Sequence, residues 1–284
     1  MVKYKKSIHK KMSIKYTHGN NIQTKKTTKY GKEPYLSLLE EIENEYNRLR
    51  ADIEKIKGNK KEDVYEKTDL INKYYKFLRQ EKFNIFDSRS KLHSTVLEEF
   101  CSYLFNGIKD FSKYEYDIGQ TKAYTNMSFS PKNFEDFHSN SGVFVSEKDQ
   151  DFVISKKIKC FFQTNESQKI KESKKISVPV IAIECKTYID KTMFDGSCQA
   201  AEKLKAGNPF SLILIVAETN QIGKEINVNH SRIDQIYILR KESAENPIDK
   251  ELVWDLFVTV KNHLEKDWFN PEEAIKNGKL ITRS

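Results

Sequence analysis

The sequence lacks the features that mark secreted, membrane-spanning and zinc-binding proteins. Its four cysteines form no CxxC pair and its six histidines form no HExxH pair, which argues against a zinc site and a disulfide framework. The longest uninterrupted apolar run, Leu212–Ala217, is far shorter than the ~18 residues that a membrane span needs. The lysine-rich N-terminus also lacks the apolar segment of a signal peptide. These absences predict a cytoplasmic protein with no membrane partner.

Acidic residues are missing from the first 32 residues, which contain ten lysines. Because the whole chain carries +8 and this segment carries +10, the remaining residues carry −2. The basic character therefore belongs to an N-terminal arm, predicted to be flexible over residues 1–33. Its lysines would bind phosphate backbones through the release of counterions. The alternative is a disordered tail that only increases solubility.

Apolar residues recur at helical spacing after this arm. Residues 35–57 are predicted to form one long helix, with Pro34 at its start and Gly58 at its end. A second helix is predicted over residues 62–80. Together they form a helical region, residues 34–90, that would clasp DNA, mediate dimerisation or serve only as scaffold.

Residues 91–284 are predicted to form an α/β domain with a mixed central sheet and flanking helices. A helix over residues 91–108 is followed by a strand near Tyr114–Ile118 and by long loops to residue 148. Further strands are predicted at residues 151–154, 159–163, 178–185, 211–218 and 235–240. A crossover helix over residues 190–206 makes the two strands that flank it parallel neighbours, and a last helix covers residues 249–266.

The segment VPVIAIECKTYIDKT, residues 178–192, ends an apolar strand with two charged residues, Glu184 and Lys186. Because alternate side chains of a strand share a face, these two point to the same side, while Cys185 faces the opposite layer. Unpaired charge is costly at a buried strand end. The pair therefore needs a partner, and Asp149 and Asp151 lie at the start of a neighbouring strand.

Carboxylates from two adjacent strand ends provide the oxygen ligands that Mg²⁺ prefers. Such an ion would lower the pKa of a bound water and neutralise charge on a phosphate, and Lys186 would orient the water or add positive charge. The alternative is purely structural. Glu184 and Lys186 would then be an ion pair at a frayed strand end, and the two aspartates would be turn residues.

These residues resemble the PD-(D/E)xK nuclease superfamily over about residues 92–240. Asp151 matches the first acidic position, and Glu184 and Lys186 match the ExK motif. Gln150 replaces the proline of the motif, which leaves Asp149 as a rival metal ligand. The resemblance implies a Mg²⁺-dependent nuclease core in which Asp151, Glu184 and Lys186 are catalytic and the two acids bind the metal.

Many members of the superfamily carry a further acid on the first helix, and Glu98 or Glu99 in TVLEEF matches it. Glu98 also fits a capping box that begins at Thr95. The run ECKTYIDKTMFDGSCQAAEKLKAGNP, together with LHSTVLEEF, resembles type II restriction endonucleases related to the two-subunit enzyme that cuts CCTNAGC-type sites. This resemblance implies cleavage of double-stranded DNA at a specific short sequence, by a homodimer or by a heterodimer with a related subunit.

DNA contacts are predicted in three places. Lys156, Lys157 and Lys159 follow Asp151 on its strand and are candidates for phosphate contacts. Residues 119–148 and 219–233 are rich in polar side chains that suit the reading of base edges, and the alternative for each is an ordinary loop. Two other functions are compatible with the same residues: a repair or junction-resolving nuclease of this fold, and a non-enzymatic basic DNA-binding protein with a structural acidic cluster.

Overall fold

The computed structural model describes residues 16–87, 90–108, 116–164, 172–224 and 226–278. The helices are α1 (Thr17–Lys26), α2 (Tyr35–Ile53), α3 (Lys61–Leu78), α4 (Ser94–Phe105), α5 (Phe134–Ser139), α6 (Lys191–Gly207), α7 (Lys250–Glu265) and α8 (Pro271–Lys276). The strands are β1 (Tyr116–Phe129), β2 (Val143–Phe162), β3 (Glu172–Ile189), β4 (Leu212–Asn220) and β5 (Gln235–Ile238). No helix in these ranges is long and apolar enough to cross a membrane.

The five strands form one mixed sheet in the order β1-β2-β3-β4-β5. Strands β1, β2 and β3 pair antiparallel, whereas β3, β4 and β5 pair parallel. Helix α6 joins β3 to β4 as the predicted crossover. The predicted mixed α/β fold with flanking helices is confirmed.

Helices cover both faces of the sheet. On one face, the Phe105 ring of α4 lies 5.3 Å from that of Phe152 on β2 and 6.2 Å from that of Phe257 on α7. The same hydrophobic cluster includes residues of α1, α2 and α3. On the other face, Ala201 of α6 packs with Ala182 of β3. The helical region thus shares a core with the sheet, and the predicted domain limits at residues 33 and 90 remain predictions.

Residues 16–33 differ from the predicted flexible arm. Helix α1 packs against α2 and α4, with His18, Gly19 and Ile22 buried. The carboxylate of Glu99 on α4 accepts hydrogen bonds from the backbone N–H groups of His18 (2.8 Å) and Gly19 (3.2 Å), which satisfies the start of α1. Ile22 is the only aliphatic residue of α1, so the apolar pattern gave no sign of this helix. Residues 1–15 of the arm lie outside the described residues.

Strands β1 and β2 are longer than the sequence pattern indicated. Most of residues 119–148, predicted as loops, lie in a hairpin with α5 at its end, and two register shifts interrupt its pairing. The two strands predicted at residues 151–154 and 159–163 are parts of one 20-residue strand, β2. The polar residues between them looked like a break. They continue the strand instead, because Ser155 bonds to Ser177 of β3 and Lys157 is exposed.

The β1–β2 hairpin curls back over the face that carries α6. Ala123 of β1 packs with Ala182 of β3 and Ala201 of α6. Ser141, near the end of the hairpin, donates a hydrogen bond to Glu172 at the start of β3 (3.3 Å). Buried and exposed residues therefore do not alternate regularly along β1 and β2, and the two-residue periodicity expected of a strand did not reveal the hairpin.

Candidate active site

Strands β2 and β3 bring the three predicted catalytic residues together. Phe152 pairs with Ile183 in the antiparallel register, so Asp151 and Glu184 lie on neighbouring positions of the two strands. The Lys186 Nζ atom lies 3.4 Å from Glu184 Oε2 and 3.7 Å from Asp151 Oδ2. The side chains are 14–29% exposed, so the cluster is partly shielded yet open to a ligand.

Hydrogen bonds fix one oxygen of each carboxylate. Asp151 Oδ2 accepts from the backbone N–H of Cys185 (2.9 Å), and Glu184 Oε2 accepts from the Ser197 hydroxyl on α6 (2.6 Å). Within the described ranges, neither Asp151 Oδ1 nor Glu184 Oε1 takes part in a hydrogen bond. Each carboxylate therefore retains one oxygen for a further ligand.

The charge of the cluster is negative, because one ammonium faces two carboxylates. Burial, the strongest single influence on Lys186, lowers its pKa, but Glu184 and Asp151 together raise that pKa above its ordinary value. Lys186 is thus held in its charged form.

Glu98 of α4 approaches the same cluster from the helix side. Burial raises the pKa of Glu98 to about 7, and the charge of Asp151 raises it as well, whereas Lys91 and Lys186 oppose the shift. Of the two adjacent acids, Glu98 is therefore the one whose pKa responds to the charges of Asp151 and Lys186. Neighbouring Glu99 is used differently, because it bonds to the start of α1.

The alternative capping role of Glu98 is wrong. Helix α4 begins at Ser94, so Thr95 lies inside the helix and does not precede it. The Thr95 hydroxyl donates to the Lys91 carbonyl oxygen (2.8 Å), a bond within the chain that leads into the helix. Thr95 and Glu98 therefore do not form a capping box.

The rival ligand Asp149 lies apart from the cluster. It is exposed and pairs in register with Lys122 on β1. Among the residues that the structure describes, its side chain makes no hydrogen bond or ion pair with Glu184 or Lys186. The geometry therefore favours Asp151 over Asp149.

The three predicted phosphate-contacting lysines also lie away from the carboxylates. At about 3.3 Å per residue, they are roughly 17–26 Å along β2 from Asp151. Lys157 pairs with Asp117 (2.9 Å), and the Lys159 Nζ atom lies 4.7 Å from the centre of the Phe161 ring. Lys156 similarly lies over an aromatic ring, that of Tyr116. Their contacts with DNA stay a prediction, and such contacts would be remote from the cluster.

The donor set fits a magnesium ion. Across the described parts of the chain, no group of three or more His, Cys, Asp or Glu side chains is arranged to hold a metal. Mg²⁺, however, is commonly held by one or two carboxylates, with water and substrate phosphates as its other ligands. Asp151 and Glu184, each with an oxygen to spare, supply two such carboxylates in a cluster of negative charge.

The sequence profile of the Bpu10I restriction endonucleases matches residues 89–246, more than half of the chain and a range that contains Glu98, Asp151 and Glu184. The chain belongs to the Bpu10I restriction endonuclease family. It is therefore a type II restriction endonuclease, a site-specific deoxyribonuclease that binds DNA. Membership of this family decides against the junction-resolving nuclease and the non-enzymatic DNA-binding protein.

A solved structure extends this similarity beyond the residues matched by the Bpu10I profile. The native BbvCI A2B2 tetramer, solved at low resolution, contains a chain that superimposes with a TM-score of 0.67 at 18% sequence identity. The match covers 89% of this chain and 99% of that chain. At this identity it shows a shared fold. A search of curated proteins finds no match.

Ser197 is the residue of this Bpu10I-family site that the sequence analysis missed. It lies on α6 among Phe194, Ala201 and Leu204, the buried residues that face the sheet. A polar side chain within such an apolar stripe requires a hydrogen-bond partner. That signal was present in the sequence, but only the structure identifies Glu184 as the partner.

Proposed function

We propose that this restriction endonuclease hydrolyses both strands of double-stranded DNA at a specific short sequence, with Mg²⁺ held by Asp151 and Glu184. The observation that carries the proposal is the position of Lys186 between these carboxylates, at 3.4 Å and 3.7 Å, while each carboxylate retains an unbonded oxygen. A cation already occupies the space between the acids. A divalent ion bound beside it would more than offset the remaining negative charge and leave a positive charge for a phosphate group.

The roles of the residues follow from their contacts. When bound, Mg²⁺ would supply a water of lowered pKa and stabilise the negative charge that develops on the phosphate. Lys186, held in its charged form, orients the attacking water or neutralises a phosphate oxygen. The Cys185 N–H fixes the orientation of Asp151. Glu98 is a possible additional ligand because its pKa responds to the charge of Asp151.

A second subunit is part of this proposal. One catalytic cluster cuts one strand, so cleavage of both strands is most simply achieved by a homodimer or by a heterodimer with a related subunit. The tetrameric assembly named for BbvCI supports a requirement for more than one chain. A DNA substrate is also consistent with the predicted location in the cytoplasm.

The test is cleavage of a long duplex DNA by the purified protein in Mg²⁺ and in EDTA, analysed on a gel. We expect discrete fragments in Mg²⁺ alone. Asp151→Asn and Glu184→Gln should each lower the single-turnover rate by roughly 10²–10³-fold or more, since both remove charge that the transition state requires. Both substitutions conserve size, and thermal unfolding would verify that the proteins remain folded.

Asp149→Asn is the matched control, because it removes the same charge two residues away on β2. It should cut at nearly the wild-type rate. A reversal, in which Asp149→Asn is inactive and Asp151→Asn is active, would assign the metal ligand to Asp149. If neither wild type nor variants cut, addition of a related subunit and measurement of molecular mass would test the requirement for a partner.

A further inference from the structure

We propose that Ser197 is a positioning residue that fixes the catalytic orientation of Glu184, an inference that rests on the function proposed above. Its hydroxyl donates to Glu184 Oε2 at 2.6 Å. Ser197 is 3% exposed and the Glu184 side chain 14% exposed, so competition from water for this bond is limited. The contact joins the crossover helix to the catalytic strand at the carboxylate itself.

The choice of partner is unusual for a serine within a helix. Such a hydroxyl ordinarily bonds to the carbonyl oxygen four residues earlier or points to solvent. In α6 the Ser197 hydroxyl crosses to β3 instead. A helix that needed only a small buried residue here would be served as well by alanine, as at Ala200 and Ala201. The hydroxyl therefore has a purpose beyond packing.

The connection between β3 and α6 holds the two partners in fixed relation. Asp190, the single residue between the strand and the helix, accepts a hydrogen bond from the Met193 backbone N–H (2.8 Å) and so caps α6. Glu184 Oε2 is consequently held between the Ser197 hydroxyl and the Lys186 ammonium. This arrangement leaves Oε1 as the oxygen available to a metal ion.

Ser197→Ala removes the hydroxyl and preserves the helix, because alanine is the best helix former. The matched control is Ser102→Ala on α4. Ser102 is likewise buried in a helix, but its hydroxyl has no hydrogen-bond partner within the described residues. Ser197→Thr retains the hydroxyl and tests whether a hydroxyl at this position is enough to preserve Mg²⁺ binding and cleavage.

Two readouts separate positioning from packing: Mg²⁺ binding to the metal-free protein by calorimetry, and single-turnover cleavage as a function of Mg²⁺ concentration. In Ser197→Ala we expect Mg²⁺ binding to weaken and the cleavage rate at limiting Mg²⁺ to fall, each about tenfold, as for other residues that orient metal ligands. DNA affinity in EDTA should not change. Ser102→Ala should equal wild type, and Ser197→Thr should recover most of the loss.

The inference is overturned if Ser197→Ala binds Mg²⁺ and cleaves DNA as Ser102→Ala does. Should Ser197→Ala unfold more readily than Ser102→Ala, Ser197→Cys replaces it, since a thiol of similar size is only a weak donor. Glu184→Gln in the same assays tests the proposed function separately. If Glu184→Gln binds Mg²⁺ and cuts normally, the proposed function fails; if it is inactive while Ser197→Ala is normal, only the role of Ser197 fails.

Discussion

The neighbouring parallel strands β3 and β4 each end in a charged cluster, but the two clusters balance their charge differently. On β4, Glu218 Oε2 accepts from Arg240 Nε at 2.8 Å and from Arg79 Nη2 at 3.2 Å, so two guanidinium groups face one carboxylate. On β3, one ammonium, that of Lys186, faces two carboxylates at 3.4–3.7 Å. The β4 cluster therefore carries a net positive charge, and the β3 cluster carries a net negative charge.

The central ion pair of the β4 cluster is also the more deeply buried. The Glu218 and Arg240 side chains are 4% and 2% exposed, with Arg79 at the rim 31% exposed, whereas the side chains of the β3 cluster are 14–29% exposed. Charge-assisted bonds are short, about 2.7–2.9 Å, so the β4 cluster has the geometry of a completed ion pair and the β3 cluster does not. A closed cluster with excess cation stabilises the fold. An open cluster with excess anion can accept a divalent ion and the phosphate that accompanies it.

The largest loss of stability is expected from Arg240→Met, which breaks the β4 cluster. It would leave Glu218 buried with one guanidinium and take a donor from the Asn246 carbonyl oxygen. Loss of one partner of a buried pair costs about 3–5 kcal/mol, so urea denaturation should show a fall of this size in the free energy of unfolding.

An exposed pair provides the control for Arg240→Met. Arg232 lies 3.6 Å from Glu202, and both side chains are more than 60% exposed. Arg232→Met should therefore change the free energy of unfolding by less than about 1 kcal/mol. Equal losses in both variants would contradict the view that the β4 cluster is structural, as would loss of cleavage by Arg240→Met protein that remains folded.

A further polar cluster, around His18, can be compared with the β3 and β4 clusters because its central group is neutral and not charged. His18 is within hydrogen-bond distance of Thr95 Oγ1 (2.9 Å) and Tyr74 OH (2.7 Å), and burial lowers the pKa of His18 to about 3. The unfolded chain therefore binds a proton near pH 6.5, well before the folded protein does. Stability contributed by neutral His18 is complete above pH 6.5 and is lost as the pH falls towards 3.

This loss has a measurable slope of up to about 1.4 kcal/mol per pH unit. Between pH 7.5 and 4.5, wild type should lose roughly 2–3 kcal/mol more than His18→Gln, which has no imidazole to titrate. The comparison of wild type with variant removes the contributions of other titrating groups. Parallel pH profiles of the two proteins would show that His18 is not held neutral.

The smallest expected change in the free energy of unfolding is at Gly196. This residue precedes Ser197 on α6, the helix that contacts the β3 cluster. Gly196 is exposed, and a Cβ atom added there would meet nothing within 4 Å. Gly196→Ala should raise the free energy of unfolding by about 0.5–1 kcal/mol, because alanine restricts the unfolded chain. Gly207→Ala is the opposite case, since its Cβ would lie 2.5 Å from the Thr125 carbonyl oxygen. It should destabilise the protein, and stabilisation by both variants would refute this reasoning.

The sequence predicted the cluster of Asp151, Glu184 and Lys186 better than the architecture around it. Glu184 and Lys186 end a strand whose apolar residues made the charges conspicuous, and the period of two placed them on one face. The β1–β2 hairpin offered no comparable signal, because its curvature leaves residues such as Phe129 and Phe144 more than half exposed. Helix α1 was missed because Ile22 is its only aliphatic residue and its polar contacts are with residues far along the chain, such as Glu99.

The adjacent acids Glu98 and Glu99 give α4 a constraint of their own. Successive residues of an α-helix point about 100° apart, so one acid is directed towards the cluster of Asp151, Glu184 and Lys186 and the next towards the start of α1. A substitution at either position disturbs one contact. A one-residue insertion or deletion earlier in α4 would turn both away together. The number of residues between the start of α4 and Glu98 is therefore constrained more strongly than the identity of either acid alone.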